Sequence, residues 1–214
     1  MPGLRLEISM SLDGFVAGPE QTVEEPLGRG GEQLHEWIFG LASWREAHGL
    51  DGGERNADDD IVRETVGRAG AIIMGRKMFS GGSGPWEDDP KADAWWGDDP
   101  PFGVPVFILT HHPRETVTKA NGTSYVFVTD GIESALEQAQ AVAGDRGVAI
   151  AGGADVVQQY LRAGLLDEIE LHVAPLLLGG GVRLFDGVGD VKLELMRAES
   201  SPAVAHLWYR VSRT

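Results

Sequence analysis

Ala149-Ile150-Ala151-Gly152-Gly153-Ala154-Asp155 is the stretch whose reading decides the fold. The apolar run 148–151 that opens it is too short for a helix and belongs on a buried strand. After the two glycines, Val156, Val157, Tyr160 and Leu161 recur at helical spacing, and Gly164 closes that helix. A buried strand that turns directly into a helix is the repeating unit of a parallel α/β sheet. The turn also has a chemical reading. Without Cβ atoms a ligand phosphate can approach the backbone, and the helix start offers unpaired N–H groups and a partial positive charge. The alternative is a tight strand-to-helix turn that needs positive φ, and the pattern alone leaves both open. The spacing is not Gly-x-Gly-x-x-Gly, so the ordinary dinucleotide fingerprint is absent.

Outward from this unit, strands and helices alternate. Leu4, Leu6, Ile8 and Met10 share one face of a first strand, 4–10, followed by a turn at 11–18 and a polar loop at 20–31. Leu34, Trp37, Ile38, Leu41 and Trp44 predict one helix over 32–47. Asp58-Asp59-Asp60 reads as the N-cap of another, with Gly70 as its C-cap; a divalent-metal site is the lesser alternative. A strand at 71–74 leads into a short helix at Gly75-Arg76-Lys77. Residues 81–103 carry Trp86, Trp95 and Trp96 without periodicity and read as a flap pinned by its own indoles, with a functional lid as the alternative. Strands at 104–110 and 125–129, a helix at 132–143, and a strand at 168–173 with one wet or cleft-lining face follow. Strands at 191–197 and 204–211, joined through Ser200-Ser201-Pro202, form an antiparallel hairpin. Eight strands and about five helices make a mixed α/β sheet in one domain, 1–214.

Composition narrows the function. The 214 residues are 42% hydrophobic, enough for a sizeable core, and carry a formal net charge of −15, which argues against a nucleic-acid or anionic-membrane footprint. Zero cysteines exclude a disulfide scaffold, a thiolate nucleophile and a zinc–thiolate site. No apolar run approaches the ~20 residues of a membrane span, and the N-terminus does not resemble a signal peptide. A soluble cytoplasmic protein acting on a small molecule is expected.

In an open α/β sheet, ligands bind beyond the carboxyl ends of the strands. Besides Gly152, Gly153 and Ala154, three such ends carry suitable residues. Gly75 allows close approach, and Arg76 and Lys77 place two cations at a helix start; a solvated basic turn is the plain alternative. Thr110 ends its strand with a hydroxyl, and His111-His112 after it read as surface histidines. Asp13, in the turn after the first strand, is a candidate proton donor or substrate anchor, or else caps its turn; Ala17 and Gly18 are small enough for a flat ring to lie against.

Taken together, Met10-Ser11-Leu12-Asp13-Gly14-Phe15-Val16-Ala17-Gly18, Ile73-Met74-Gly75-Arg76-Lys77 and Ile150-Ala151-Gly152-Gly153-Ala154 resemble the dihydrofolate reductase-like superfamily. Within it the likeness is to the reductase domain of the bifunctional riboflavin-biosynthesis deaminase/reductase and its stand-alone relatives. Leu165-Leu166-Asp167-Glu168 and Ala174-Pro175-Leu176-Leu177-Leu178-Gly179 extend it. The resemblance implies a three-layer α/β/α fold around an eight-stranded mixed sheet with a C-terminal antiparallel hairpin, NADPH as hydride donor, and a homodimer. On it Arg76 and Lys77 face the adenosine 2′-phosphate with Thr110 nearby, Gly152, Gly153 and Ala154 cradle the pyrophosphate, and Ala17 and Gly18 lie beside the nicotinamide. The expected activity is hydride transfer to a small pterin- or pyrimidine-like heterocycle, with Asp13 as catalytic candidate, Glu36 in reserve, and Trp86 or Trp96 covering the substrate. Where the family often has Thr after Gly-Arg-Lys, this chain has Met78, a departure that bears on the grip on the 2′-phosphate. Without a deaminase half, neither zinc nor a role in riboflavin synthesis is expected. The competing expectations are a nucleotide- or flavin-binding module of the same fold without turnover, and a structural homodimer that binds no nucleotide.

Overall fold

The computed structural model describes residues 3–212. Its strands are β1 (Leu4–Ser11), β2 (Phe15–Ala17), β3 (Ala71–Gly75), β4 (Pro105–Leu109), β5 (Val117–Thr118), β6 (Ser124–Val128), β7 (Val148–Gly152), β8 (Glu168–Ala174), β9 (Val182–Arg183), β10 (Lys192–Ser200) and β11 (Ala205–Ser212). Its α-helices are α1 (Glu36–Phe39), α2 (Ala42–Ala47), α3 (Ala57–Gly67), α4 (Arg76–Ser80), α5 (Ile132–Ala143) and α6 (Ala154–Arg162). The main sheet runs β10-β11-β8-β1-β7-β3-β4-β6-β5. The pairs among β8, β1, β7, β3, β4 and β6 are parallel; β11 joins β8 antiparallel, and β10 closes the hairpin. All eight expected strands are present. The ninth, β5, is a two-residue edge too short to show periodicity.

The alternation in β1 builds the layers. Leu4 and Leu6 are fully buried in a core with Ile73, Ile150 and Ile169, closed by Ala135 and Ala139 of α5 and Val157 and Tyr160 of α6. Small residues on α5 let it lie close to the sheet, and the Tyr160 hydroxyl donates to the Ile132 carbonyl at 2.7 Å. On the opposite face Met74, Val106, Ile108 and Tyr125 pack against Phe79 of α4, with Trp86 and Trp96 of the 81–103 segment beside them. A third cluster, Trp37, Leu41, Val62 and Val204, holds α1 and α3 against the sheet. The result is three layers, α/β/α.

Local corrections have physical causes. The helix expected over 32–47 is a 3-10 turn (Gly31–His35), α1 and α2, broken where Leu41 is extended and pairs with Glu54. The cap of α3 is Asn56, whose side chain accepts from the Asp59 amide; Asp58, Asp59 and Asp60 lie inside the first turn. Gly70 is no C-cap: a Cβ there would sit 2.0 Å from the Ala143 carbonyl oxygen, so it is glycine because α5 crosses it. Part of the turn after β1 is itself a strand, β2, paired with β9.

Candidate functional site

The candidate site is built from adjacent strand ends. Register pairs Met74 with Gly152 and Gly75 with Leu109, so the turns leaving β7, β3 and β4 stand side by side at one rim. At the first, Gly152 has φ 128°, which glycine alone adopts freely. No side chain caps α6, and a Cβ on Gly153 would meet nothing within 4 Å. The backbone therefore faces open space there, beside a helix start with uncapped N–H groups. Next to it, Met78 covers Gly152, its Sδ lying 3.2 Å from where a Cβ would stand.

Gly75 is glycine for a different reason from the expected one. A Cβ would lie 2.9 Å from Val156 Cγ2, so the close approach seen here is to α6. Arg76, next in line, is only 6% exposed. Its guanidinium pairs with Asp89 and stacks 3.5 Å over the Trp86 ring. Asp89 also accepts from the Ser80 hydroxyl (2.7 Å) and the Lys91 amide (2.9 Å). Burial pushes the Asp89 carboxyl up, but those donors and Arg76 outweigh it and hold it below its usual range. Burial draws the Arg76 pKa down. Arg76 Nε and Nη1 are buried with no hydrogen-bond acceptor among the described residues. Lys77 is exposed. The Arg114 guanidinium also lies over the Trp86 ring, 5.1 Å from its centroid, and the Trp86 indole donates to the His112 carbonyl at 2.9 Å. The Thr110 hydroxyl is taken up by His112, whose amide donates to it at 3.1 Å. The 81–103 segment is thus tied down through Trp86 and Asp89.

Asp13 sits at the end of β1. Its Oδ1 accepts from the Ser11 hydroxyl (2.6 Å) and the Leu178 amide (3.1 Å), and its Oδ2 from the Gly179 amide (2.8 Å). The Ser11 hydrogen bond chiefly holds the carboxyl below the usual range. It pins the loop after β8, and an ionised group with its lone pairs so engaged is a poor proton donor. Gly18 and Gly181 are glycines because backbone crosses them: a Cβ on Gly18 would lie 2.1 Å from the Arg29 carbonyl oxygen, and one on Gly181 2.1 Å from the Ala17 carbonyl oxygen, so Ala17 and Gly18 lie against backbone. Both are buried, Glu36 is exposed, and Trp96 packs on Phe102 at 4.8 Å.

The sequence reading missed what lies under α1 and α3. The expected wet face of β8 is a buried polar network. His206 Nε2 lies 3.1 Å from Asp58, and the His206 and His172 Nδ1 atoms are 2.7 Å apart. Donation from His206 Nε2–H to the carboxylate makes His206 Nδ1 the acceptor and His172 Nδ1–H the donor. The Trp37 indole donates to Ser9 at 3.1 Å, and Thr65 donates to Glu170 at 2.5 Å. Burial pushes His172 down to about 3; burial and neighbouring Glu170 push Glu7 up to about 7. The polar alternation Arg5, Glu7, Ser9 in β1, in register with Glu168, Glu170 and His172, was the available signal. Two surface cavities lie away from the rim. One is lined by Arg5, Arg68, Glu168 and Trp208, the other by Leu161, Phe185, Val188 and Leu193.

Residues 2–207 match the model of the RibD C-terminal domain. The chain is 28% identical over 188 residues to the riboflavin biosynthesis protein RibD of Mycobacterium tuberculosis, covering 79% of this chain and 52% of that protein. It thus spans about half the length of the curated relatives it matches. A putative riboflavin biosynthesis protein from Shewanella sp. PV-4 superposes with TM-score 0.63 at 20% identity over the whole of both chains. The deaminase/5-amino-6-(5-phosphoribosylamino)uracil reductase of Thermotoga maritima superposes with TM-score 0.54 at 15% identity, over 98% of this chain and 56% of that one. At these identities the superpositions establish the fold, and the matched residues establish the kinship: this chain belongs to the RibD C-terminal domain family.

Proposed function

We propose that the protein is an NADPH-dependent reductase of a small pyrimidine- or pterin-like heterocycle. The observation that carries this reading is the open backbone at Gly153 beside the uncapped start of α6, on the rim that also holds Arg76 and Thr110. The residues fit a dinucleotide: Gly152, Gly153 and Ala154 offer the pyrophosphate a cradle that a Cβ would fill, and the orphaned Nε and Nη1 of Arg76 offer a phosphate two donors. In this reading Lys77 adds a point charge for the 2′-phosphate, Thr110 lies nearby, Gly75 keeps the two turns close, and Ala17 and Gly18 form the wall behind the nicotinamide. The bound cofactor supplies the hydride; the chain binds, orients and screens it. Asp13 acts as a positioning residue, tying the β1 turn to the loop 175–181.

The engagement of Asp13 favours a second reading, a nucleotide-binding module without turnover. Both readings are tested by titrating NADPH and NADH against tryptophan fluorescence, then following absorbance of the reduced nicotinamide with a panel of aminopyrimidine ribosides and dihydropterins. The reductase reading expects binding and oxidation with at least one of them. Tight binding without oxidation across the panel selects the module; no binding overturns both. Arg76→Ala should weaken NADPH by roughly 1.5–3 kcal/mol, the worth of a charge-assisted contact, and leave NADH unchanged.

A further inference from the structure

At the amino ends of β1 and β8, opposite the rim, a cavity of about 220 Å³ opens between α3 and the β10–β11 hairpin. Two of its polar lining side chains are almost fully buried, Arg5 (4% exposed) and Glu170 (2%), and belong to its floor. Arg5 has no carboxylate partner among the described residues. Its terminal nitrogens reach only the carbonyls of Arg146 and Thr65, both at 3.4 Å, and its Nε has no acceptor. Burial draws the Arg5 pKa down; Glu7, Glu170 and Glu168 oppose this only from a distance, and Arg68 adds to it. Glu170 accepts from Thr65 through Oε1 at 2.5 Å, and its Oε2 is buried without a donor. The floor thus holds an uncompensated cation, an orphaned N–H and an orphaned carboxyl oxygen. Each costs free energy unless a ligand group meets it. The mouth is charged and adaptable. Arg68 pairs with Glu168 at 2.7 Å and Arg197 with Glu64 at 2.9 Å, all four side chains being more than a third exposed. Exposed pairs contribute little, so either guanidinium can turn to an incoming anion at small cost. With Arg210, four arginines face three glutamates here, a local positive surplus in a chain of net charge −15.

We propose that this cavity binds a small hydroxylated organic anion, a carboxylate or a phosphate monoester, whose anionic group accepts from Arg5 and whose hydroxyl donates to Glu170 Oε2. Arg68 and Arg197 turn from their carboxylates to close on the same anionic group. The anion follows from Arg5: a water molecule satisfies its Nε but leaves its charge uncompensated. The hydroxyl follows from Glu170: a bare anion offers Oε2 no hydrogen. The size follows from the volume. A drug-sized ligand takes roughly 300–1,000 Å³, so the occupant is smaller than a nucleotide. The cavity shares no residue with the rim, and the inference does not rest on the reductase reading.

Glycerate and glycerol 3-phosphate serve as probes of the two kinds of anion, with acetate as an anion that lacks the hydroxyl, all at one ionic strength. At ten times its dissociation constant a bound probe should raise Tm by about 3 °C. A rise with glycerate alone assigns a carboxylate, and a rise with glycerol 3-phosphate alone assigns a phosphate. Acetate should give a much smaller rise. Arg5→Met should abolish the effect. Arg68→Gln/Arg197→Gln changes only exposed positions, so it tests the site even if Arg5→Met does not fold; it should weaken binding about tenfold. Gly153→Ala, at the rim, should keep the full rise. No rise with either probe, an equal rise with acetate, a rise that survives in Arg5→Met, undiminished affinity in Arg68→Gln/Arg197→Gln, or a rise lost in Gly153→Ala overturns the proposal.

Discussion

Arg76 and Asp89 show how a single side chain constrains the rim. Both are nearly inaccessible, and their pairing leaves Arg76 Nε and Nη1 without acceptors. A phosphate that binds Arg76 competes with Asp89 for the same charge. Asp89→Asn breaks a buried pair and should lower stability by about 3 kcal/mol. It also removes the competing anion. The rise in Tm on adding NADPH should therefore be larger in Asp89→Asn than in the unmodified protein, while the rise with NADH stays the same; equal gains from both cofactors would place the 2′-phosphate away from Arg76. Asp13 acts at the same scale on a neighbouring loop. Asp13→Asn replaces one acceptor oxygen by a donor, so one of the amides of Leu178 and Gly179 loses its partner. Faster amide exchange confined to 175–181 is the expected result, and unchanged exchange there would show that Asp13 holds nothing.

At the scale of elements, the two glycine turns look alike in sequence and differ in structure. Gly75→Ala drives a Cβ against Val156 and should destabilise by about 1–3 kcal/mol, with Val156→Ala restoring much of the loss. Gly153→Ala meets open space and has φ −78°, so Tm should hold within about 2 °C while NADPH affinity falls tenfold or more. A large loss of Tm in Gly153→Ala would make that turn structural and remove the cradle. This contrast marks what the sequence could carry. The eight main strands were legible because alternation and buried apolar runs are local signals. The break at Leu41, the crossings that make Gly18 and Gly70 glycines, and the capture of Arg76 by Asp89 were not, because each depends on a residue distant in the chain. The polar stripe of β8 is legible and reads as a wet or cleft-lining face, since only the register with β1 and β11 shows that α1 and α3 cover it.

The whole molecule stacks its apolar layer on one side of β1 and β8 and buries a polar layer on the other, and this asymmetry sets its response to pH. Glu7 faces Glu170, with Arg5 and Arg68 near, and its pKa in the fold is about 7 against 4.5 for the free side chain. A raised carboxyl favours the protonated fold: that stability is complete below pH 4.5 and is lost as pH rises through 7. His172 works in the opposite direction. Its value of about 3 against 6.5 means that stability is complete above 6.5 and lost as pH falls through 3. Between about pH 4.5 and 6.5 the two slopes oppose each other, so Tm of the unmodified protein should vary little there on their account. Glu7→Gln removes one slope and leaves the other. Its Tm, measured relative to the unmodified protein, should rise from pH 4.5 to 7 and then level off, whereas a difference independent of pH would mean that Glu7 is ionised in the fold and that the polar layer is wetter than its packing under α3 indicates.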